Sequence, residues 1–449
     1  MLAPAKIGSI TDEESSRSGV ISKVLARFGT TSRKGVWAIG DQAVVSGTNF
    51  CSTIMIGRFC GMNELGLYTL AFGILVLMAV FQQSLILTPF SVFSNRMSEK
   101  RRIRYAGSIL LQQCLYMSLC VLALIGIGIA LYFGLKFSAV GTLFFALALA
   151  MPFFSLREFV RRYLLAQLHV RATLIFDMSV AVFQLSGFLY FAYIDQLSST
   201  TAYVVIAMGC GLPSLVFLLS RASSFKLHQK LLMPTIQKHW NFGRWICASQ
   251  LTDVLQFYSL HWLITIFVGV SATGLYSAYA SVLMVFNPFV IAMSGILLPR
   301  AAQVHHQGGV SELRRIITKG TVLLILIVFS LSIPIALFGD ELIQYLFEIS
   351  AGSKRGLLLF ILLAIVLSGT ISVAAESGLC VLERPKVNFL SAISGLVVSL
   401  IGSSLLGYWW GIEGVAFGAL IGVSVTSIMQ ITGFVYLSGE SQPEGVNAC

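Results

Sequence analysis

An all-α polytopic membrane fold, with about 12 transmembrane helices in two six-helix bundles related by an internal repeat, is predicted by three properties of this sequence. The first is composition. The 449-residue chain is 56% hydrophobic and only 11% charged, with a mean hydropathy of +0.85, whereas a soluble globular domain carries about 25% charged residues. The second is rhythm, because apolar runs long enough to cross a hydrocarbon core of about 30 Å as a helix recur along the chain between short polar turns. The third is a repeat. A shift of 208 positions carries Trp37 onto Trp245, Gln42 onto Gln250, and Gly66-Leu67-Tyr68 onto Gly274-Leu275-Tyr276. With two-residue slips, Leu77-Met78 falls on Leu283-Met284 and Pro89 on Pro299. A period of about 200 residues is far longer than a solenoid unit and points to two similar halves.

In chain order, residues 1–34 are polar and then basic, with Lys23, Arg27, Arg33 and Lys34 ahead of the first span. They contain no apolar run with a small-residue cleavage site, so no signal peptide is expected there. Val20 to Phe28 is expected to form a short amphipathic helix on the membrane surface. Six apolar runs follow, at Gly35 to Gly57, Leu65 to Phe93, Tyr105 to Gly134, Phe137 to Leu156, Leu174 to Ile194 and Thr200 to Ser220. A polar bridge from Arg221 to Arg244 divides the chain. Six more runs lie at Trp245 to Phe267, Gly274 to Leu298, Gly320 to Phe338, Gly356 to Ser377, Val387 to Tyr408 and Val415 to Tyr436. The expected organisation is an N-terminal segment (1–34), a first bundle (35–220), a linker (221–244), a second bundle (245–436) and a tail (437–449).

The formal charge of +11 and pI near 9.3 do not indicate nucleic acid, because the bases are spread between apolar runs. They report orientation. Every Lys and Arg except Arg58, Lys136, Lys354 and Arg355 falls in the N-terminal segment or in alternate gaps, beginning with SNRMSEKRRIR (Ser94 to Arg104). That side is assigned to the cytoplasm, so the expected location is the cytoplasmic (inner) membrane, crossed many times, with both termini cytoplasmic. The longest outer loop is expected from about Gly339 to Arg355. No room remains outside the spans for a catalytic domain.

Ionisable groups within spans are costly and are candidates for function. The acids are Asp41, Asp177, Asp253 and Glu376. Asp41 and Asp253 lie on equivalent helices of the two halves. A carboxylate in a low-dielectric cavity can bind and release a proton or a sodium ion, which makes Asp41, Asp253 and Glu376 candidates for ion coupling. The competing structural reading is that neighbouring polar side chains such as Gln42, Gln250 or Thr252 hold them in helix packing. Asp177 is expected to pair with Arg171 or Arg162. At the end of the fourth run, helical spacing stacks Arg157 over Arg161 and Glu158 over Arg162. Guanidinium forks bind phosphate at two points, so Arg157, Arg161 and Arg162 are candidate substrate-binding residues, against the alternative of an anchor for anionic lipid heads. Arg33 and Arg244 begin spans one and seven and are expected at the same mouth. The eight cysteines show no metal-ligand spacing and read as small hydrophobes. With no P-loop, zinc signature, nucleophile elbow or dinucleotide fingerprint, no metal, cofactor or enzymatic site is expected.

GDQAVVSGTNF (Gly40 to Phe50), the turn from Gly61 to Tyr68, the basic second loop, and the stretch from Arg157 to Arg171 together resemble oligosaccharide flippases. These form the polysaccharide-transporter branch of the multidrug/oligosaccharidyl-lipid/polysaccharide (MOP) exporter superfamily. The resemblance implies two bundles in a V around a central cavity, alternating between inward-open and outward-open forms. It implies a polyprenyl-diphosphate-linked oligosaccharide as substrate, moved from the cytoplasmic to the outer leaflet, with glycan polymerase and glycosyltransferases as partners. The lipid II flippases usually have two further spans. The multidrug branch, with twelve spans and acids in the first and seventh helices, is the second reading, and a membrane-embedded glycan polymerase or ligase the third. A cavity for a diphosphate should present cations, and one for cationic drugs carboxylates.

Overall fold

A computed structural model describes residues 30–94, 97–134, 136–167, 169–221, 231–349 and 356–440, without the side chains of 30–36, 99, 100, 102 and 440. The amphipathic segment expected before residue 30 and the Arg33 side chain therefore lie outside the described residues. Eight stretches are long and apolar enough to span a membrane. Three of these are two crossings joined by a glycine with positive φ: Gly61 (φ 84°), Gly309 (φ 68°) and Gly411 (φ 63°). Only glycine adopts such a conformation without steric cost. Leu232–Phe267 supplies one more helix, less apolar because it carries Arg244, Gln250, Asp253, Gln256 and His261.

Among the described residues this gives twelve helical crossings, numbered here in chain order. Thr30–Gln82 breaks at Gly61 into α1 (30–60) and α2, and α2 continues through a π-helical turn at Gln83–Leu87 to Ser94. Then come α3 (Glu99–Ile129), α4 (Ser138–Ala166), α5 (Val170–Tyr193), α6 (Ser199–Ser220) and α7 (Leu232–Phe267). The stretch from Val270 to Phe347, containing a 3₁₀ turn at Leu283–Phe286, breaks at Gly309 into α8 (270–308) and α9 (310–347). Next is α10 (Gly356–Val381), and Pro385–Glu440 breaks at Gly411 into α11 (385–410) and α12 (412–440).

Two segments, and the burial of the cysteines, differ from the sequence reading. The bridge read as a linker to Arg244 is helical from Leu232, and the outer loop expected from Gly339 is helical through Phe347. Both are amphipathic helix ends extending past the apolar run, which a hydropathy boundary truncates. The cysteines are also less uniformly buried than expected: Cys120, Cys210 and Cys247 are buried, whereas Cys51, Cys114 and Cys380 are exposed. In a membrane fold, an exposed position facing lipid suits the same small apolar side chain.

The repeat is visible in the backbone. The shift that pairs Gly66 with Gly274 also pairs Gly61 with Gly269, and both have positive φ, at 84° and 120°. Each lies at a turn on the side that the charge pattern assigns as outer, and each is followed by a helix, α2 or α8, running back toward the side it assigns as inner. The two halves meet along these helices. At the outer end Arg58 forms an ion pair with Glu348, and Phe347 packs over Gly57. Toward the inner end the contacts run from α7 to α2 and α3. There Tyr105 Oη lies 2.6 Å from His239 Nε2, the Lys238 ammonium sits 3.8 Å from the Phe93 ring centre, and Gly243 packs on the Ser84 carbonyl.

Candidate functional site

A cavity of about 520 Å³ lies between the halves. From the first half α1 contributes Asn49 and Thr53, and α2 contributes Tyr68, Thr69 and Phe72. The second half supplies the rest from α7, α8, α10, α11 and α12, including Asp253, Gln256, Tyr276, Glu376, Asn388 and Gln430. Tyr68 and Tyr276, equivalent in the repeat, are both buried in its wall. The Tyr68 carbonyl accepts a hydrogen bond from Tyr203 Oη at 2.6 Å, and Tyr276 meets His261 edge-on at 5.1 Å.

Two kinds of side chain dominate the polar lining. Amides and hydroxyls are numerous, whereas the charged groups among the lining residues are two carboxylates, Asp253 and Glu376. Both are open to the cavity, and neither carboxylate is in an ion pair among the described residues. Asn388 donates to the Glu376 backbone carbonyl at 3.1 Å, while its own Oδ1 is buried without a partner. Three oxygen-bearing side chains of α7, α10 and α11 thus line one cavity with acceptor capacity unspent, as a hard cation or a proton requires.

The acids of the first half have a different fate. Asp41 Oδ2 lies 2.7 Å from Arg161 Nη2, and Arg161 Nε lies 2.8 Å from Asp177 Oδ2 in an off-axis ion contact. Asp177 Oδ1 accepts from Arg157 Nη2 at 3.1 Å, and Arg157 Nη1 lies 3.4 Å from Glu158 Oε1. The expected partners of Asp177, Arg171 and Arg162, are therefore replaced by Arg157 and Arg161. Those two are one turn apart on α4 and face α5, whereas Arg171 stands 6.0 Å from the Trp37 ring. The Asp177 side chain is fully enclosed and that of Asp41 nearly so. Helix rise places Arg161 about 8 Å and Arg157 about 14 Å from the inner end of α4. Asp41, Arg157, Arg161 and Asp177 are thus one buried network joining α1, α4 and α5.

Arg162 is half-buried and takes part in no ion pair among the described residues. Arg244 is exposed, with its guanidinium 5.8 Å from the exposed Trp245 ring, and no contact joins it to the α4 arginines among the described residues. Nor is any group of three or more His, Cys, Asp or Glu placed to hold a metal among those residues.

Twelve crossings in two halves around a central cavity make this the fold of the MOP-superfamily transporters. An inward-facing multidrug resistance MATE family transporter of that superfamily superposes with a TM-score of 0.74 at 12% identity, covering 90% of this chain and 96% of the other. An outward-facing MATE family transporter gives 0.61, also at 12% identity, over 91% and 94%. The lipid II flippase MurJ, inward closed, gives 0.67 at 14% identity over 90% of each chain. A Pyrococcus furiosus MOP transporter, described as having a binding pocket of reverse polarity that suggests a different function, gives 0.67 at 13% over 91% and 94%. No family model and no curated protein sequence matches the chain.

Proposed function

We propose that the chain flips a polyprenyl-diphosphate-linked oligosaccharide, the repeat unit of a surface polysaccharide, across the cytoplasmic membrane by alternating access. The observation that carries this reading is the cavity wall. Most of its area is apolar, as in other ligand pockets, but amides and hydroxyls from both halves are set into it, with Asn49, Thr53, Gln256, Asn287, Thr426 and Gln430 among them. A hydroxyl-rich glycan replaces its hydration on the amides and hydroxyls of such a surface. Asp253 and Glu376 bind the coupling proton or sodium ion. Capture of the diphosphate from the inner leaflet falls to Arg162, because Arg157 and Arg161 are already neutralised. Both termini are cytoplasmic in this reading.

The second reading, a cation-coupled multidrug antiporter, rests on one observation: the cavity's charges are carboxylates, which suit a cationic drug. The two separate in reconstituted vesicles. A lipid-linked oligosaccharide loaded in one leaflet should become accessible to an added glycosidase on the other side, while ethidium should not be pumped. Arg162→Lys should slow flipping by about one to two decades, since a charge-assisted phosphate contact contributes about 1.5–3 kcal/mol. Ethidium export without oligosaccharide flipping would replace the first reading with the second.

A further inference from the structure

The outer ends of α2 and α8 approach so closely that no side chain fits between them. A β-carbon built on Gly274 would overlap the carbonyl of Met62, and one built on Gly66 would overlap the carbonyl of Val270. These four residues form two equivalent pairs, because the shift that relates Gly66 to Gly274 also relates Met62 to Val270. The halves therefore meet here as two subunits do in an isologous dimer, with each helix offering the same glycine to the same carbonyl of the other. Such close backbone approach through small residues is how helices pack where lipid removes the hydrophobic drive. A carbonyl within a helix cannot swing aside as a flexible side chain would.

We propose that Gly66 and Gly274 are the outer gate, a two-fold seam that closes only because both positions lack a β-carbon. The seam roofs the cavity, since Tyr68 and Thr69 follow Gly66, Tyr276 and Ser277 follow Gly274, and all four line the space beneath. With about 1.5 Å of rise per residue, both glycines lie roughly 6 Å inside the outer ends of their helices. Arg58–Glu348 and Gly57–Phe347 close the rim around them. The outer side is thus shut in this conformation. The role rests on the alternating-access reading, but its test reads geometry and needs no substrate.

The symmetry makes the test specific. A methyl at either glycine should prevent closure, so Gly66→Ala and Gly274→Ala should act in the same direction and to a similar extent. The variants Arg58→Cys and Glu348→Cys, combined in a background with the native cysteines replaced by alanine, would carry spin labels across the rim for pulsed distance measurement in vesicles. The parent should show mainly the short distance, and either alanine variant should move most of the population to a longer one. Gly295→Ala, which places its β-carbon on α8 in open space, should leave the parent distribution unchanged. A short-distance population unchanged in either folded alanine variant would overturn the gate. If the alanine variants do not insert, Leu65→Cys decides. Leu65, next to Gly66 in the chain, is fully buried, so this cysteine should resist an external membrane-impermeant maleimide while the rim is closed, and ready labelling in the resting protein would sink the proposal. Oligosaccharide flipping plays no part in any of these readings, so failure of the substrate assignment leaves them intact.

Discussion

Asp41 and Asp253 lie on equivalent helices of the two halves, one turn out of register, since the 208-residue shift carries Asp41 onto Ser249; one is enclosed against a guanidinium and the other stands open to the cavity. An acid committed to Arg161 is poorly placed to exchange a coupling ion, whereas Asp253, sharing a cavity with Glu376 and the unspent Oδ1 of Asn388, is well placed. The expected outcome is that Asp253→Asn or Glu376→Gln abolishes the proton or sodium dependence of transport while the protein still inserts. Asp41→Asn should retain it. Vesicle transport measured against imposed pH and sodium gradients checks this, and retained ion dependence in both cavity variants would return the two acids to a packing role.

At the level of elements, the network of Asp41, Asp177, Arg157 and Arg161 ties α1 and α5 to α4. Asp177 is its centre, since one carboxylate serves both arginines. Removing a partner from a buried ion pair typically costs about 3–5 kcal/mol, because the remaining charge is stranded. Asp177→Asn should therefore lower the thermal stability of the purified protein more than Asp41→Asn, which leaves Arg161 its second partner. Equal melting temperatures for Asp177→Asn and the parent would show that the guanidiniums find water or lipid phosphate instead. The network also explains why α4 bears charge so far from its inner end: the cost of burial is offset by neighbours on two other helices.

For the molecule as a whole, the arrangement of charge sets orientation. Cysteines introduced at Arg102, Lys230 and His306 should be labelled from the cytoplasm, and those at Asn63, Asp195 and Lys354 from outside. One site reacting on the wrong face would mean a miscounted span. In this orientation the α4 arginines lie toward the inner leaflet, the cavity lies between the halves, and the glycine seam closes its outer side. A substrate captured inside and released outside would pass these features in that order.

The sequence by itself determined the class, the number of crossings and the two-half repeat. Each depends on local composition: hydrocarbon accepts only long apolar helices with their backbone bonds satisfied, and a repeat persists in the order of residues. Gly66 and Gly274 were already visible as a matched pair, but nothing local showed that they face each other. The partners of Asp177 were decided only by the tertiary structure, because helical spacing says which residues share a face and not which helix that face meets. The contrast between Asp41 and Asp253 was hidden for the same reason. Acids on equivalent helices of the two halves acquire different surroundings once α4 brings arginines to one of them and a cavity opens beside the other.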